Sequence, residues 1–327
     1  MPNPIFRVKN LTKAFGKMVV LDDISLDIRS GEIIGLIGAS GSGKTTFLNT
    51  LIGFLRPEGG DVEFRLSHLL STSDSEIYRS VFSKQRMVKQ IYGFASQVPS
   101  FYGELTAKEN LRFFGNLHNM SSDAIDANMK TLLELMELKE ARNVKAKKLS
   151  GGMERRLDIA CALMHDPEVL ILDEPTADLD PLLRHHIWQL IRKINKKGTT
   201  IILSSHHLIE LENLCDRVAL LKDSKLKAVG APRDLKERFV VEQEIVLQTR
   251  DETYEALKEN LTHKHISDIA IYDNSLIIKT LKPSLIMEYC LKTVRQQGDQ
   301  ITFIDIKNSS LDDVFVKLWG EHPEGRA

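Results

Sequence analysis

Short apolar runs alternate with longer amphipathic stretches over the first two thirds of the chain. The apolar runs, which end near glycine, acidic or small polar residues, lie at residues 32–37, 91–95, 169–172 and 199–203. Amphipathic stretches follow at residues 45–53 and 181–197; Asp180 and Pro181 suit the entrance of the second, and Gly198 suits its end. Runs that are apolar on both faces suit strands covered by helices on two sides. The pattern predicts an α/β fold with a mostly parallel sheet and crossover helices.

The pattern changes near residues 230–240, where we predict a domain boundary. Beyond it, the spacing predicts strands at residues 244–248, 266–272, 275–280 and 301–306, and helices at residues 252–261 and 285–295. The order βαββαβ is that of the ferredoxin-like arrangement. We therefore expect a first domain at residues 1–232 and a small C-terminal α+β domain at residues 240–320.

Residues 62–90 combine serines with basic residues, namely Ser67, Ser71, Ser73, Ser75, Arg79, Lys84, Arg86 and Lys89. We expect a loop and one exposed helix here, because variable polar segments usually lie on the surface. Contact with a partner is the alternative.

Composition and charge narrow the function. The 327 residues include 44 Lys and Arg against 45 Asp and Glu, so no overall field attracts nucleic acid or an anionic membrane. No apolar run approaches the ~18 residues of a spanning helix, and the N-terminus lacks the pattern of a secretory leader. The three cysteines are far apart, and the pairs His185 with His186 and His263 with His265 lack further ligands, so we expect neither disulfides nor zinc. The cytosol is the default compartment.

A glycine-rich motif provides the first candidate chemistry. The motif G-x-x-x-x-G-K-[ST] is matched at every fixed position by Gly38, Ala39, Ser40, Gly41, Ser42, Gly43, Lys44 and Thr45. Its glycines allow backbone N–H groups to surround a triphosphate, Lys44 supplies a positive charge to the phosphates, and the Thr45 hydroxyl suits Mg²⁺. A glycine-rich turn with an incidental lysine is the structural alternative.

Two carboxylates, Asp173 and Glu174, end the apolar run at residues 169–172. Sites in parallel sheets lie at the carboxyl ends of strands, so Asp173 suits the Mg²⁺ shell and Glu174 suits activation of a water molecule. Helix capping or simple solvation is the alternative for both residues.

Ser150, Gly151 and Gly152 precede a helical run and form a second candidate anion site. One nucleotide does not need two such sites from the same chain. We therefore expect each chain to offer this site to a nucleotide held by a second copy, in a pair with twofold symmetry.

Together, these motifs resemble the ATP-binding subunit of an ABC transporter, with Walker A at residues 38–45, the signature LSGGM at 149–153 and Walker B at 169–174. The resemblance covers about residues 5–230 and implies a P-loop NTPase of ABC type with a helical subdomain. It implies that Gln97 reaches Mg²⁺ from the Q-loop, that His206 contacts the γ-phosphate, that Phe15 stacks on adenine, and that residues 177–180 form the D-loop. The implied ligands are ATP and Mg²⁺. The implied nucleotide-binding residues are Phe15, Gly38, Ala39, Ser40, Gly41, Ser42, Gly43, Lys44, Thr45, Thr46, Gln97, Ser150, Gly151, Gly152 and Asp173; Thr45, Gln97 and Asp173 hold Mg²⁺, and Glu174 and His206 are catalytic.

Two residues depart from the family pattern. Asp178 stands where the D-loop usually has a small residue, and Glu154 follows the signature where a basic or amide residue is commoner. Neither departure removes a catalytic group. Both leave the affinity of the dimer and its turnover open.

The resemblance implies an ATPase subunit that powers a permease on a separate chain, at the inner face of the cell membrane, as a homodimer or a heterodimer. The segment Ser310, Leu311, Asp312, Asp313, Val314 and Phe315 is similar to a closing element of ABC-2 type exporter subunits, which favours export; a packed terminal helix is the alternative. A second hypothesis is a soluble ABC ATPase acting on nucleic acid or ribosomes, disfavoured by the single Walker A motif and the near-zero charge. A third is a nucleotide sensor without turnover, which Glu174 and His206 argue against.

Overall fold

The computed structural model describes residues 3–65, 77–206, 208–239, 242–307 and 310–319. The serines at positions 67, 71, 73 and 75 and the histidine at position 207 lie outside the described residues. The chain divides into two compact units, Met1–Ala231 and Pro232–Ala327.

The first unit contains strands and helices in alternation after an N-terminal pair of long strands. Its strands are β1 (Pro4–Phe15), β2 (Met18–Arg29), β3 (Ile33–Ile37), β4 (Gly59–Arg65), β5 (Tyr78–Ser80), β6 (Tyr92–Ala95), β7 (Val169–Leu172), β8 (Thr200–Ser205), β9 (Arg217–Lys222) and β10 (Lys225–Gly230). Its helices are α1 (Lys44–Leu51), α2 (Gln85–Ile91), α3 (Ala107–Leu117), α4 (Ser122–Leu135), α5 (Gly151–Ala162), α6 (Pro181–Asn195) and α7 (Leu208–Leu214).

The main sheet has the strand order β10-β9-β3-β8-β7-β6, and every neighbouring pair is parallel except β9 with β10. Every residue of β3, β7 and β8 is buried, which explains the apolar sequence of β3 and β7 and the apolar centre of β8 at residues 201–203. The predicted mostly parallel sheet is confirmed. Because β3, β6, β7 and β8 run in the same direction, the residues that follow them meet at one edge of the sheet.

A second sheet, with the antiparallel order β2-β1-β4-β5, was not predicted from the pattern. It packs Phe6 of β1 beside Phe64 of β4, and both side chains are fully buried. The prediction of a loop and one exposed helix at residues 62–90 is wrong in part. Residues of β4 and β5 pair there, Val81 is fully buried, and α2 buries part of its surface.

Helices α3 and α4 pack against each other between β6 and α5 along the chain. A capping box fixes the start of α3: the Thr106 hydroxyl accepts from the Glu109 N–H, and the Glu109 carboxylate accepts from the Thr106 N–H. The predicted start of α6 is confirmed, since the Asp180 carboxylate accepts from the N–H of Leu183 and Pro181 is the first helical residue. Gly198 follows that helix with φ of 102°.

The described residues of the second unit include a four-stranded antiparallel sheet. Its elements are α8 (Pro232–Phe239), β11 (Gln243–Thr249), α9 (Tyr254–Asn260), β12 (Ile266–Tyr272), β13 (Ser275–Thr280), α10 (Pro283–Gln296), β14 (Ile301–Lys307) and α11 (Leu311–Trp319). The strand order is β12-β13-β11-β14, and α9 and α10 cover one face. The β12–β13 turn places Asp273 and Asn274 at positive φ, which these residue types tolerate.

Candidate functional site

The loop between β3 and α1 has a backbone that requires glycine. Gly41 and Gly43 have φ of 76° and 102°. A Cβ atom at Gly38 would lie 2.6 Å from the carbonyl oxygen of Leu221, a backbone atom that cannot move aside easily. The loop leads directly into α1, so the first N–H groups of that helix add a favourable dipole for an anion.

Lys44, the first residue of α1, turns its ammonium group back over this loop. Its Nζ atom donates to the carbonyl oxygens of Gly38 at 2.8 Å and Ala39 at 3.3 Å, and lies 3.6 Å from Oε1 of Glu174. The Oγ atom of Ser42 is buried and has no hydrogen-bond partner among the residues that the structure describes. A positive charge and an unsatisfied hydroxyl therefore face the space that the glycines leave open.

A chain of hydrogen bonds links the loop to the ends of β7 and β8. The Thr45 hydroxyl donates to Oδ2 of Asp173 at 2.8 Å, and the Ser204 hydroxyl donates to Oδ1 of the same carboxylate at 2.5 Å. The Ser204 oxygen also accepts from the backbone N–H of Glu174 at 2.9 Å. Asp173 is 2% exposed, so these bonds hold its carboxylate in one orientation.

The carboxylate of Glu174 lies beside this series of hydrogen bonds. Its Oε2 atom is 2.9 Å from Nδ1 of His206, which follows β8 directly. Glu174 adopts φ of 47°, a left-handed conformation that turns the chain sharply after β7. Strands β7 and β8 thus bring together two residues that are 32 positions apart.

The structure brings five predicted residues into one cluster: Lys44, Thr45, Asp173, Glu174 and His206. Ala39, Ser40 and Thr46 lie in or beside the loop itself.

The other predicted residues lie on separate elements. Gln97 is exposed just beyond β6, and Phe15 is 48% exposed at the end of β1, with the Lys13 ammonium 5.2 Å from its ring centre. Ser150 caps α5 by accepting from the N–H of Met153, and Gly151 and Gly152 begin that helix. No hydrogen bond within the described part of the chain joins Phe15, Gln97 or Ser150 to the cluster.

Arg155 of α5 was missed by sequence reasoning, although it lies beside the signature. Its guanidinium is buried and donates to the carbonyl oxygens of Ser96, Asp173 and Pro175, and to the carboxylate of Asp158. Burial raises the pKa of Asp158, and hydrogen bonds from Ser100 and the charge of Arg155 oppose that shift. Arg155 and Asp158 are three positions apart, which places two opposite charges on the same side of a helix. This spacing was the available sequence signal. Ser204 was also missed as a hydrogen-bond donor, because nothing local distinguishes it from any other serine at a strand end.

The cluster fits a phosphate ester together with a hard divalent cation. The glycine loop, the ammonium group and the unsatisfied Ser42 hydroxyl suit phosphate oxygens. The Thr45 hydroxyl and the Asp173 carboxylate are oxygen donors of the kind Mg²⁺ prefers, and two protein ligands leave places for phosphate and water. Among the described residues, no group of three or more His, Cys, Asp or Glu could hold a metal by itself. No helix in the described part of the chain has the length and apolar character to cross a membrane.

Comparisons with known proteins agree with this chemistry. Residues 21–177 match the family described as "ABC transporter". The chain is 33% identical to the Nod factor export ATP-binding protein I of Burkholderia orbicola, over 95% of this chain and 96% of that protein. It is 29% identical to the linearmycin resistance ATP-binding protein LnrL of Bacillus subtilis, over 97% of this chain and 98% of that protein. A dimeric post-hydrolysis structure of the ATP-binding cassette MJ0796, bound to ADP and Pi, aligns over 69% of this chain and 98% of that one, with 27% identity and a TM-score of 0.59.

Proposed function

This chain belongs to the ATP-binding, ATP-hydrolysing subunits of ABC transporters, and from this premise we propose that it powers an exporter whose membrane permease is a separate chain. The names of two relatives, one for Nod factor export and one for linearmycin resistance, support export. Both relatives match nearly the whole chain, including its C-terminal unit. The two names refer to different compounds, so the proposal concerns the class of transporter.

The observation that carries the proposal is the convergence of Lys44, Thr45, Asp173, Glu174 and His206 at one edge of the main sheet. Lys44 and the loop N–H groups bind the phosphates of ATP, and Phe15 stacks on the adenine. Mg²⁺, held by Thr45, Asp173 and Gln97, neutralises phosphate charge when it is bound.

Glu174 is the residue of this chain that acts as the general base. Its carboxylate takes a proton from water while the water oxygen bonds to the γ-phosphorus and the bond to the β-phosphate oxygen breaks, which releases ADP and phosphate. His206 holds that carboxylate through Nδ1 and steadies the γ-phosphate. The 2.9 Å contact between the two side chains supports the assignment of His206 as the residue that orients the Glu174 carboxylate.

We propose that the working unit is a dimer in which Ser150, Gly151 and Gly152 of one copy face the phosphate loop of the other. The dimeric cassette among the solved relatives supports this arrangement. Homodimer and heterodimer are both compatible with it. The subunit would lie on the cytoplasmic face of the membrane through its permease, with residues 1–232 as the ATPase cassette and residues 240–320 as an accessory domain.

The proposed function is tested by substituting the phosphate-loop lysine. The Lys44→Ala variant should lose ATP hydrolysis by about 100-fold or more, because the ammonium that faces the phosphates is removed. Lys193→Ala, at an exposed position in the last turn of α6, is the matched control and should keep the parent rate. Unchanged hydrolysis in Lys44→Ala would exclude this site.

The partner is tested by purifying the tagged chain from detergent-solubilised cells. Recovery with a multi-span membrane protein supports the exporter. Repeated recovery with ribosomes would overturn it in favour of a soluble ABC ATPase. The formal charge of −1 is one reason that we prefer the exporter.

A further inference from the structure

Arg155 connects α5 to the segments that follow two neighbouring strands. Its Nη1 atom donates to the carbonyl oxygen of Ser96 at 2.6 Å, directly after β6. Its Nη2 and Nε atoms donate to the carbonyl oxygens of Asp173 at 3.1 Å and Pro175 at 2.9 Å, directly after β7. One buried guanidinium therefore fixes the backbone on both sides of Glu174 and at the start of the segment that carries Gln97.

Asp158, one turn later on α5, holds the other end of that segment. Its Oδ1 atom accepts from both the backbone N–H and the hydroxyl of Ser100 at 2.9 Å, and its Oδ2 atom accepts from Arg155 at 3.2 Å. Asp158 is fully buried. Residues 96–100 are thus tied at both ends to one ion pair, and the exposed side chain of Gln97 lies between the two ties.

A buried ion pair is a costly way to fill space. Taking both charges out of water carries a large desolvation cost, and apolar side chains of similar volume often give equal or greater stability. The pair at Arg155 and Asp158 supplies something that an apolar pair would not: donors for three carbonyl oxygens and an acceptor for Ser100. Its role is therefore better explained by the backbone it orients than by packing.

We propose that Arg155 and Asp158 are positioning residues that hold Gln97 and Glu174 in fixed relation to α5. This inference rests on the proposed function, because it assigns Gln97 and Glu174 to the site of ATP hydrolysis. Since α5 begins at Ser150, the same helix links the proposed nucleotide contact of the partner copy to both of these residues.

Steady-state kinetics of the full chain with the variant Arg155→Lys test the proposal. Lysine keeps the charge opposite Asp158 but cannot reach three carbonyl oxygens in one plane. We expect kcat to fall about tenfold while KM for ATP changes less than about twofold, because the phosphate loop is untouched. The variant Ser100→Ala removes one hydrogen bond from an exposed residue. It should lower kcat by a smaller factor, again with little change in KM for ATP. This variant keeps the test available if Arg155→Lys fails to fold.

Arg217→Lys is the matched control. Arg217 also pairs with a buried carboxylate, Glu32, and also donates to a backbone carbonyl oxygen, but it lies at the opposite edge of the main sheet. It should lower thermal stability and leave kcat within about twofold of the parent. The proposal would be overturned if kcat fell no further in Arg155→Lys than in Arg217→Lys. It would also be overturned if KM for ATP in Arg155→Lys rose by as large a factor as kcat fell.

Amide hydrogen exchange provides a second measurement that does not depend on activity. In Arg155→Lys the N–H of Ser100 should exchange about fivefold faster or more, while residues 38–45 keep the protection of the parent. Unchanged exchange at Ser100 would overturn the proposed positioning. If the parent chain did not hydrolyse ATP, the proposed function would fail, and exchange would still decide whether the ion pair holds residues 96–100.

Discussion

Thr45 contributes a single hydroxyl to the site, and its position makes a specific prediction. The hydroxyl donates to Asp173, so the two oxygen ligands proposed for Mg²⁺ are already in contact. Replacing Thr45 by Ala should raise the Mg²⁺ concentration needed for half-maximal ATP hydrolysis by about tenfold or more, because one ligand is lost. The measurement is the rate of phosphate release during a Mg²⁺ titration at saturating ATP.

Thr45→Ser is the control, since serine keeps the hydroxyl and removes only a methyl group. It should titrate like the parent. A Thr45→Ala variant with the Mg²⁺ dependence of the parent would contradict the ligand assignment.

At this scale, the sequence predicted the residues whose chemistry depends on local spacing. The phosphate loop, Asp173 and Glu174 follow strands that could be recognised, and the structure brings them into contact. Arg155 and Ser204 could not be predicted in the same way. The carbonyl oxygens that Arg155 contacts lie 18 to 59 residues away, and the partners of Ser204 lie 30 and 31 residues away, so only the packing of α5 and β8 reveals these contacts.

Two histidines link the end of α3 to the start of β6, and their burial makes the stability of this region depend on pH. The rings of His118 and His165 stack with centres 3.6 Å apart, and Nε2 of His165 contacts the carbonyl oxygen of Tyr92 at 3.1 Å. Burial, with a smaller effect of His118, lowers the pKa of His165 from 6.5 to about 4. The unfolded chain therefore binds a proton more readily than the folded chain.

The stability contributed by neutral His165 should be complete above pH 6.5 and lost as the pH falls from 6.5 towards 4. The full loss approaches about 3 kcal/mol of unfolding free energy at lower pH. Urea unfolding at several pH values measures it, and His165→Gln should flatten the profile between pH 6.5 and 4. His186→Gln, at an exposed position on α6, is the control; a flattened profile in this variant instead would contradict the assignment.

At the scale of elements, the parallel strands were predictable and the antiparallel sheet was not. Strands β3 and β7 are buried on both faces and carry no polar side chain, and β8 has an apolar centre at residues 201–203, so each contains a recognisable apolar run. In contrast, the pairing of β1 with β2 contains several register shifts, and Asn10 and Asp23 adopt positive φ within it. Each irregularity interrupts the alternation by which an antiparallel strand is recognised. The strands of the second unit are shorter and have fewer register shifts, and the elements predicted between residues 244 and 306 lie within a few residues of their predicted positions. Helix α8 was not predicted.

For the whole molecule, the dimer proposal predicts that ATP controls association. Glu174→Gln removes the proposed base but leaves the phosphate loop and Asp173 intact, so ATP should bind and remain. We expect hydrolysis to fall about 100-fold or more and a stable dimer to form with ATP. Light scattering after size-exclusion chromatography, with and without ATP, measures the mass.

Glu168→Gln is the matched control, because Glu168 lies just before β7 at the opposite end of the same strand. It should hydrolyse ATP like the parent and show no lasting dimer. Hydrolysis by Glu174→Gln at the parent rate would show that another group activates water.

Two hydrogen bonds run in series from the backbone N–H of Glu174 through the Ser204 hydroxyl to the Asp173 carboxylate, and they share one direction. A hydroxyl can donate only one hydrogen bond. Ser204 donates it to Asp173 and accepts a hydrogen bond from the Glu174 N–H, so the N–H and O–H dipoles both point towards the Asp173 carboxylate. Aligned hydrogen bonds polarise one another, and a change in charge at one end alters the strength of every bond in the series. The carboxylate of Asp173 and the backbone N–H of Glu174 are therefore electrically coupled. A loss of negative charge at Asp173 would weaken its hydrogen bond from Ser204. The hydrogen bond from the Glu174 N–H to Ser204 would weaken in turn, which would loosen the backbone of Glu174.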